Sequence, residues 1–265
     1  MTKQTMSHES RTQRSLTHRE YQLRSTLDEP TARQLLDDII EKSYLVQKIF
    51  RDSRATYAAH QQVGDEQLIH KIPRARLKRT WEKLITVIRD SESFRTFDNL
   101  QLMNQLGFKA PAPLLAGEKR RMGFVVDSFC CYRFEEGKEA GPNDAEQVVN
   151  ELLRLHEKGY LRTDAKAANF LITDKGVTFI DFRLKKPGLF PKLKKQMELA
   201  RLARVYPESL AYIPENVRTS RSFKLATWLE RINIEIKAAR RRVKRAFQVE
   251  LVSEQLKILE TSRPG

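Results

Sequence analysis

Between Gly159 and Phe182 the chain carries a carboxylate, an ammonium, an amide and a second carboxylate at spacings that serve a site only if the segment folds back on itself. These are Asp164, Lys166, Asn169 and, after two short apolar runs, Asp181. Residues 170–172 and 177–180 are β-prone, and Thr173-Asp174-Lys175-Gly176 between them has the composition of a hairpin turn. Such a hairpin brings its two ends together, so Asp164 and Asn169 face Asp181 across a narrow site. Upstream, residues 144–158 read as a helix that stops at Gly159, the residue type that most readily takes the left-handed position after a helix. A helix, a loop and a hairpin are thus specified locally, and any fold for this chain has to be built around them.

The chemistry that needs this set is phosphoryl transfer, which is mostly positioning and charge neutralisation. One carboxylate must face the attacking hydroxyl, while an amide oxygen and another carboxylate hold magnesium over the phosphates. The layout matches a kinase catalytic loop followed by its metal-binding strand. It assigns Asp164 and Lys166 to catalysis and Asn169 and Asp181 to the metal.

The chain has 265 residues, 40% of them hydrophobic and 31% charged, enough for a sizeable core in one two-lobed domain. Its net charge of +15 predicts a partner carrying negative charge, such as nucleic acid, anionic lipid or a phosphorylated substrate. No apolar run approaches the roughly 18 residues of a membrane span. The polar first 20 residues lack the apolar segment of a secretory signal. The two cysteines, Cys130 and Cys131, are adjacent; on a strand they point to opposite faces, which predicts buried free thiols and a cytoplasmic protein.

Residues 1–26 are polar and read as a flexible tail. Pro30 opens a helix with Leu35, Leu36, Ile39 and Ile40 on one face. Strands are predicted over 44–50, 54–62 and 67–72, the third carrying Lys71. Residues 74–89 are basic with a helical pattern, and a second helix runs from 91 to 106 before Gly107. Ala110-Pro111-Ala112-Pro113 reads as a stiff connector, followed by strands over 123–129 and 130–134 and a hinge at Glu135-Glu136-Gly137. Three strands, a helix and two strands, then a helix-dominated half, is the order of a kinase small lobe and large lobe. The expected fold is therefore α+β and atypical protein-kinase-like, with a β-rich lobe over 27–136, a short helical lobe over 137–247 and a tail over 248–265.

Lys71 occupies the third-strand position at which a kinase keeps the lysine that contacts the nucleotide phosphates. Its partner is expected on the following helix, either Glu92 or Asp98. No glycine-rich loop lies between the first two strands; Arg51-Asp52-Ser53-Arg54 stands there, so the candidates for the phosphates are its backbone, or Ser53 with Arg51 and Arg54. Arg133 and Glu135, beside the hinge, complete the nucleotide-binding candidates. Arg162 stands where a kinase loop has His, and Arg183 where a glycine follows the metal-binding Asp-Phe pair. A short basic stretch, 185–195, follows in place of a peptide-substrate segment, which turns the expectation away from a protein substrate.

With Leu155-His156-x-x-Gly159, the loop from Asp164 to Asn169, Asn169-Phe170-Leu171-Ile172, Ile180-Asp181-Phe182 and the basic stretch beyond, the chain resembles the bacterial lipopolysaccharide core kinases, most of all the heptose kinases. The resemblance is clear from about 123 to 195 and weaker from 44 to 107. It implies an atypical protein-kinase-like fold, ATP with Mg2+, and transfer to a sugar hydroxyl of a lipid-linked core oligosaccharide at the cytoplasmic face of the inner membrane. The related Kdo kinases keep the same loop and are the nearest alternative. A small atypical protein kinase and a pseudokinase adaptor are others, although an adaptor has no need of Asp164, Asn169 and Asp181.

Residues 218–247 add a basic helical pattern, ten Lys or Arg against Glu230 and Glu235. Leu225, Trp228, Leu229, Ile232, Ile236, Val243 and Phe247 recur along it at helical spacing. Such a helix either lies on an anionic membrane with its apolar face down or packs that face on its own lobe. Few aromatic residues interleave with the basic tracts, so no nucleic-acid partner is expected.

Overall fold

The structure, a computed structural model, describes residues 13–74 and 89–261. The basic helical pattern expected over 74–89 thus lies almost wholly outside the described residues. The chain divides into two compact units, residues 1–186 and 187–265. It mixes helices with antiparallel sheet, in keeping with the α+β expectation.

Seven strands form the main sheet of the first unit: β1 (Arg14–His18), β2 (Tyr21–Ser25), β3 (Leu45–Asp52), β4 (Thr56–Val63), β5 (Glu66–Pro73), β6 (Pro113–Arg121) and β7 (Phe124–Arg133). Their spatial order is β1-β2-β6-β7-β5-β4-β3, all neighbours antiparallel. Helix α1 (Glu29–Glu41) starts where the Asp28 carboxylate accepts from Thr31 N at 3.0 Å, with Pro30 in its first turn. It buries Ala32, Leu35 and Leu36 against Leu23, Leu68, Leu114, Leu115, Phe129 and Cys131. Helix α2 (Glu92–Gln105), capped by Ser91, packs Phe94 and Phe97 against Ala116, Cys130 and Tyr132. Strand side chains alternate between faces, so Cys130 joins one cluster and Cys131 the other. Both thiols are free and buried, and burial pushes Cys130 up to about 12.

Three expectations need correction here. The described part of the segment read as a flexible tail, 13–26, carries β1 and β2; hydrogen bonding to β6 orders residues whose own polarity does not. The strands expected over 123–129 and 130–134 are one strand, β7, whose partner β6 begins at Pro113 inside the expected connector. β6 was obscured by Gly117 and the charged run from Glu118 to Arg121, yet Glu118 is buried because Ser91 N (3.0 Å) and Arg120 Nε (2.6 Å) both donate to its carboxylate. The tail expected over 248–265 is, as far as Thr261, a continuation of the last helix.

One core residue makes stability depend on pH. His70, on β5 opposite Cys131, is buried among the rings of Tyr44, Tyr57 and Phe129. Its Nδ1 lies 3.2 Å from Gln61 Oε1, an acceptor, which keeps the proton of the neutral ring on Nδ1. Nε2 has no hydrogen-bond partner among the described residues. Burial lowers the imidazole from 6.5 to about 4. Between those values the unfolded chain binds the proton and the folded chain does not, so stability is full above pH 6.5 and is lost as pH falls toward 4. The whole effect is about 3 kcal/mol, with roughly 2 kcal/mol gone by pH 5. Urea midpoints of wild type and His70→Gln at pH 7.5 and pH 5 check this; the variant is expected to lose most of the wild type's difference between the two.

The second unit is helical. Helix α4 (Pro191–Val205), which follows α3 (Ala145–Glu157) in the chain, packs on α6 (Arg221–Thr261), and the short α5 (Glu215–Arg218) precedes α6. Arg201 grips the buried Glu230 carboxylate with Nη2 at 2.6 Å and Nε at 3.2 Å, which supplies the paired cation a buried carboxylate requires. Phe223 and Ala226 complete the buried face of α6.

Candidate active site

The site is assembled from the loop that follows α3. This helix buries Ala145, Val148, Val149, Leu152 and Leu155, spaced as one face of a helix, and ends at Gly159 with φ +84°. Beyond it, Leu161 and Lys185 exchange both backbone hydrogen bonds (2.8 and 2.9 Å), and Arg183 N donates to Arg162 O at 3.0 Å. The chain leaves that ladder and returns through the expected hairpin, β8 (Phe170–Thr173) and β9 (Gly176–Phe179). Ile180 N donates to Asn169 O at 3.1 Å, closing the return. The two ends of the loop thus lie side by side.

Two residues in this return hold left-handed backbone, Thr163 at φ +70° and Asp181 at φ +46°. Each costs of order 1–3 kcal/mol for a residue with a side chain, and persists only where surrounding contacts enforce it. Thr163 Oγ1 donates to Arg183 O at 3.2 Å, one of those contacts. Arg162 supplies more. Fully buried, its guanidinium lies 4.3 Å from the Phe170 ring centre and 5.9 Å from that of Phe179, while Nη2 donates to Ile180 O at 3.1 Å. A desolvated cation on aromatic faces is worth about 2 kcal/mol, and here it braces the hairpin against the residue preceding Asp181.

Asn169 is buried, and its Nδ2 donates to the backbone oxygen of Asp164 at 3.0 Å. That fixes which way the amide points and aims its other end, Oδ1, elsewhere. The Asp164 carboxylate itself is largely exposed, with Lys166 Nζ 3.6 Å from Oδ2. From the sheet, Lys71 Nζ donates to Asp181 Oδ1 at 2.6 Å. Burial alone would lower the Lys71 ammonium; Tyr132 and Asp181 outweigh it and hold its pKa above the usual value. Burial alone would likewise raise Asp181, but Lys71, with Lys166 and Arg51 adding their fields, holds it below the usual carboxylate range. Both shifts favour the charged forms.

The structure therefore brings Asp164, Lys166, Asn169, Asp181 and Lys71 into one neighbourhood, with Glu92 close enough for its charge to act on Lys71. Lys71 Nζ meets Asp181, and of the two expected partners Glu92 acts on Lys71 through its charge, adding to the rise in its pKa. Glu92, at the start of α2, pairs with Arg183, and Asp98 pairs with Arg24, since the helix presents them to those cations. Ser53 spends its hydroxyl in its own turn, donating to Thr56 O and accepting from Thr56 N, both at 3.1 Å. Arg133 pairs with Glu66 at 3.0 Å. Glu135 is half-buried; burial raises its pKa, and Lys175 and Arg133 oppose that rise. Among the described residues no contact joins Ser53, Arg133 or Glu135 to Lys71 or Asp181. Arg51, Arg162 and Arg183 contribute as well; Arg51 was marked by the loop that stands in place of the glycine-rich one, and Arg162 and Arg183 as departures from the kinase pattern.

Magnesium favours hard oxygen ligands and is usually held by one or two protein groups together with substrate phosphates. An Asn oxygen and a carboxylate held in its charged form match that requirement. No group of three or more His, Cys, Asp or Glu placed for a metal occurs among the described residues, so the donor set fits an ion that arrives with a nucleotide.

A family described as lipopolysaccharide core biosynthesis protein (WaaY) matches residues 13–210. No curated protein matches the sequence. Among solved structures, WaaP in complex with acyl carrier protein aligns at 16% identity with a TM-score of 0.46, covering 80% of this chain and 92% of that one.

Proposed function

We infer the reaction from two premises: the chain belongs to the lipopolysaccharide core biosynthesis (WaaY) family, and its first unit gathers Lys71, Asp164, Lys166, Asn169 and Asp181. The protein is an ATP-dependent kinase of atypical, two-lobed protein-kinase-like fold. It phosphorylates a sugar of the lipopolysaccharide inner core, heptose before Kdo. The observation that carries this reading is the Lys71–Asp181 pair beside the Asp164–Asn169 loop.

Asp164, the most exposed carboxylate of the set, accepts the proton of the sugar hydroxyl. The hydroxyl oxygen forms its bond to the γ-phosphorus of ATP as the bond to ADP breaks. Lys71 and Lys166 neutralise phosphate charge, a task for which the raised pKa of Lys71 keeps it cationic. Asn169 and Asp181 would hold Mg2+, which when bound neutralises charge building on the phosphates. Arg162 keeps the loop and the Asp181 turn in register. The acceptor is lipid-linked, so the protein works peripherally at the cytoplasmic face of the inner membrane, where its charge of +15 complements anionic lipid.

The test is transfer of labelled γ-phosphate from ATP to delipidated core oligosaccharide purified from a strain lacking this protein. A gain of one phosphate on a heptose, found by mass spectrometry, is the expected result. Label on protein, or no transfer to sugar, overturns the reading.

A further inference from the structure

We propose that the apolar stripe of α6 is a membrane-docking surface that takes anionic phospholipid. The proposal deepens the lipid-linked acceptor reading and rests on it for its biological purpose. An α-helix turns 100° per residue, so Leu225, Trp228, Leu229, Ile232 and Ile236 fall within an arc of about 100°. The buried face of the same helix, Phe223, Ala226 and Glu230, points well away from that arc. Trp228 is 55% exposed, Leu225 45% and Ile236 44%. A run of large apolar side chains left in water on one helix face marks an interaction surface.

Charge and spacing select the occupant. Exposed Lys224, Arg231 and Arg242 follow one margin of the stripe and Arg240 the other, against Glu235 alone. Apolar centre, basic margins and an indole at the boundary are the features of a helix that lies in a lipid interface, its long cationic side chains reaching the headgroups. A coiled-coil partner would need apolar residues at both seam positions of each heptad, which Leu225, Leu229, Ile232, Ile236 and Ala239 supply, so the basic margins rather than the seam decide the occupant. A second copy meeting the stripe about a two-fold axis would set basic margin against basic margin.

The full-length protein is sedimented with vesicles of phosphatidylethanolamine and phosphatidylglycerol, and with vesicles of phosphatidylcholine, at low and high salt. Binding to the anionic vesicles that weakens with salt is expected, with little to the neutral ones. Leu225→Glu with Trp228→Glu is expected to weaken that binding roughly 100-fold, with phosphorylation of delipidated acceptor unchanged. Independently, in Trp81→Phe, where Trp228 is the remaining tryptophan, emission is expected to shift to the blue when anionic vesicles are added. Equal vesicle binding by the double variant, or Trp228 emission unmoved by vesicles, overturns the proposal. So does a wild-type dimer that the double variant converts to monomer, because the stripe would then meet protein. A wild type that binds vesicles yet phosphorylates no acceptor sinks the kinase reading and leaves the docking surface standing.

Discussion

Asp181→Asn is expected to abolish phosphoryl transfer, by on the order of 10³-fold or more, while the protein stays folded. The substitution keeps the side chain's volume but removes the charge that Lys71 Nζ meets at 2.6 Å and that fits the carboxylate to a metal. About half of the side chain is exposed, so water takes up the change without a buried polar group being left alone. Unchanged thermal unfolding beside lost turnover, measured with ATP and delipidated core oligosaccharide, is the expected pair of results. Turnover near the wild-type rate would remove Asp181 from the site and the metal assignment with it.

Asp164→Ala is expected to lower turnover about 10²- to 10⁴-fold and to leave ATP affinity nearly unchanged. Among the described residues Asp164 pairs with Lys166, and Asn169 Nδ2 donates to its backbone oxygen at 3.0 Å and to its carboxylate at 3.5 Å. Its carboxylate faces outward, where an acceptor hydroxyl would approach, so its loss removes an interaction with the attacking group. Comparing kcat with nucleotide affinity separates this from a binding defect. In cells carrying only the variant, mass spectrometry of the core oligosaccharide should find the inner-core phosphate missing. Normal phosphate content there would mean that Asp164 is not the base or that core sugar is not the substrate.

The hairpin, the helix before it and the glycine that ends that helix were legible because each is set by neighbours in sequence. Apolar residues at helical spacing, a turn-forming tetrapeptide and a residue free to adopt φ +84° act within a few positions. Lys71 was legible for a similar reason, since the order of strands along the chain put it on the third of them. The partners of the charged residues were not. Glu92 and Asp98 lie on the helix where a kinase comparison seeks the partner of Lys71, and both pair with arginines, Glu92 acting on Lys71 through its charge as well. A charge pairs with whichever opposite charge the packing delivers, and that depends on chain segments 91 and 74 residues away.

β1, β2 and β6 make the same point for the fold. Their residues are too polar or too interrupted to announce a strand, and they become one by completing the backbone hydrogen bonds of a sheet whose core lies elsewhere. The amino-acid sequence by itself determined the loop from Asp164 to Asn169, its hairpin and the overall basic charge, because these depend on local conformational preference and on composition. Only the tertiary structure decided that Lys71 meets Asp181, that Arg162 is buried against Phe170 and Phe179, and that the stripe of α6 faces water. Those outcomes follow from which surfaces the packed units cover and which they leave exposed, a balance struck over the whole chain rather than over any one stretch of it.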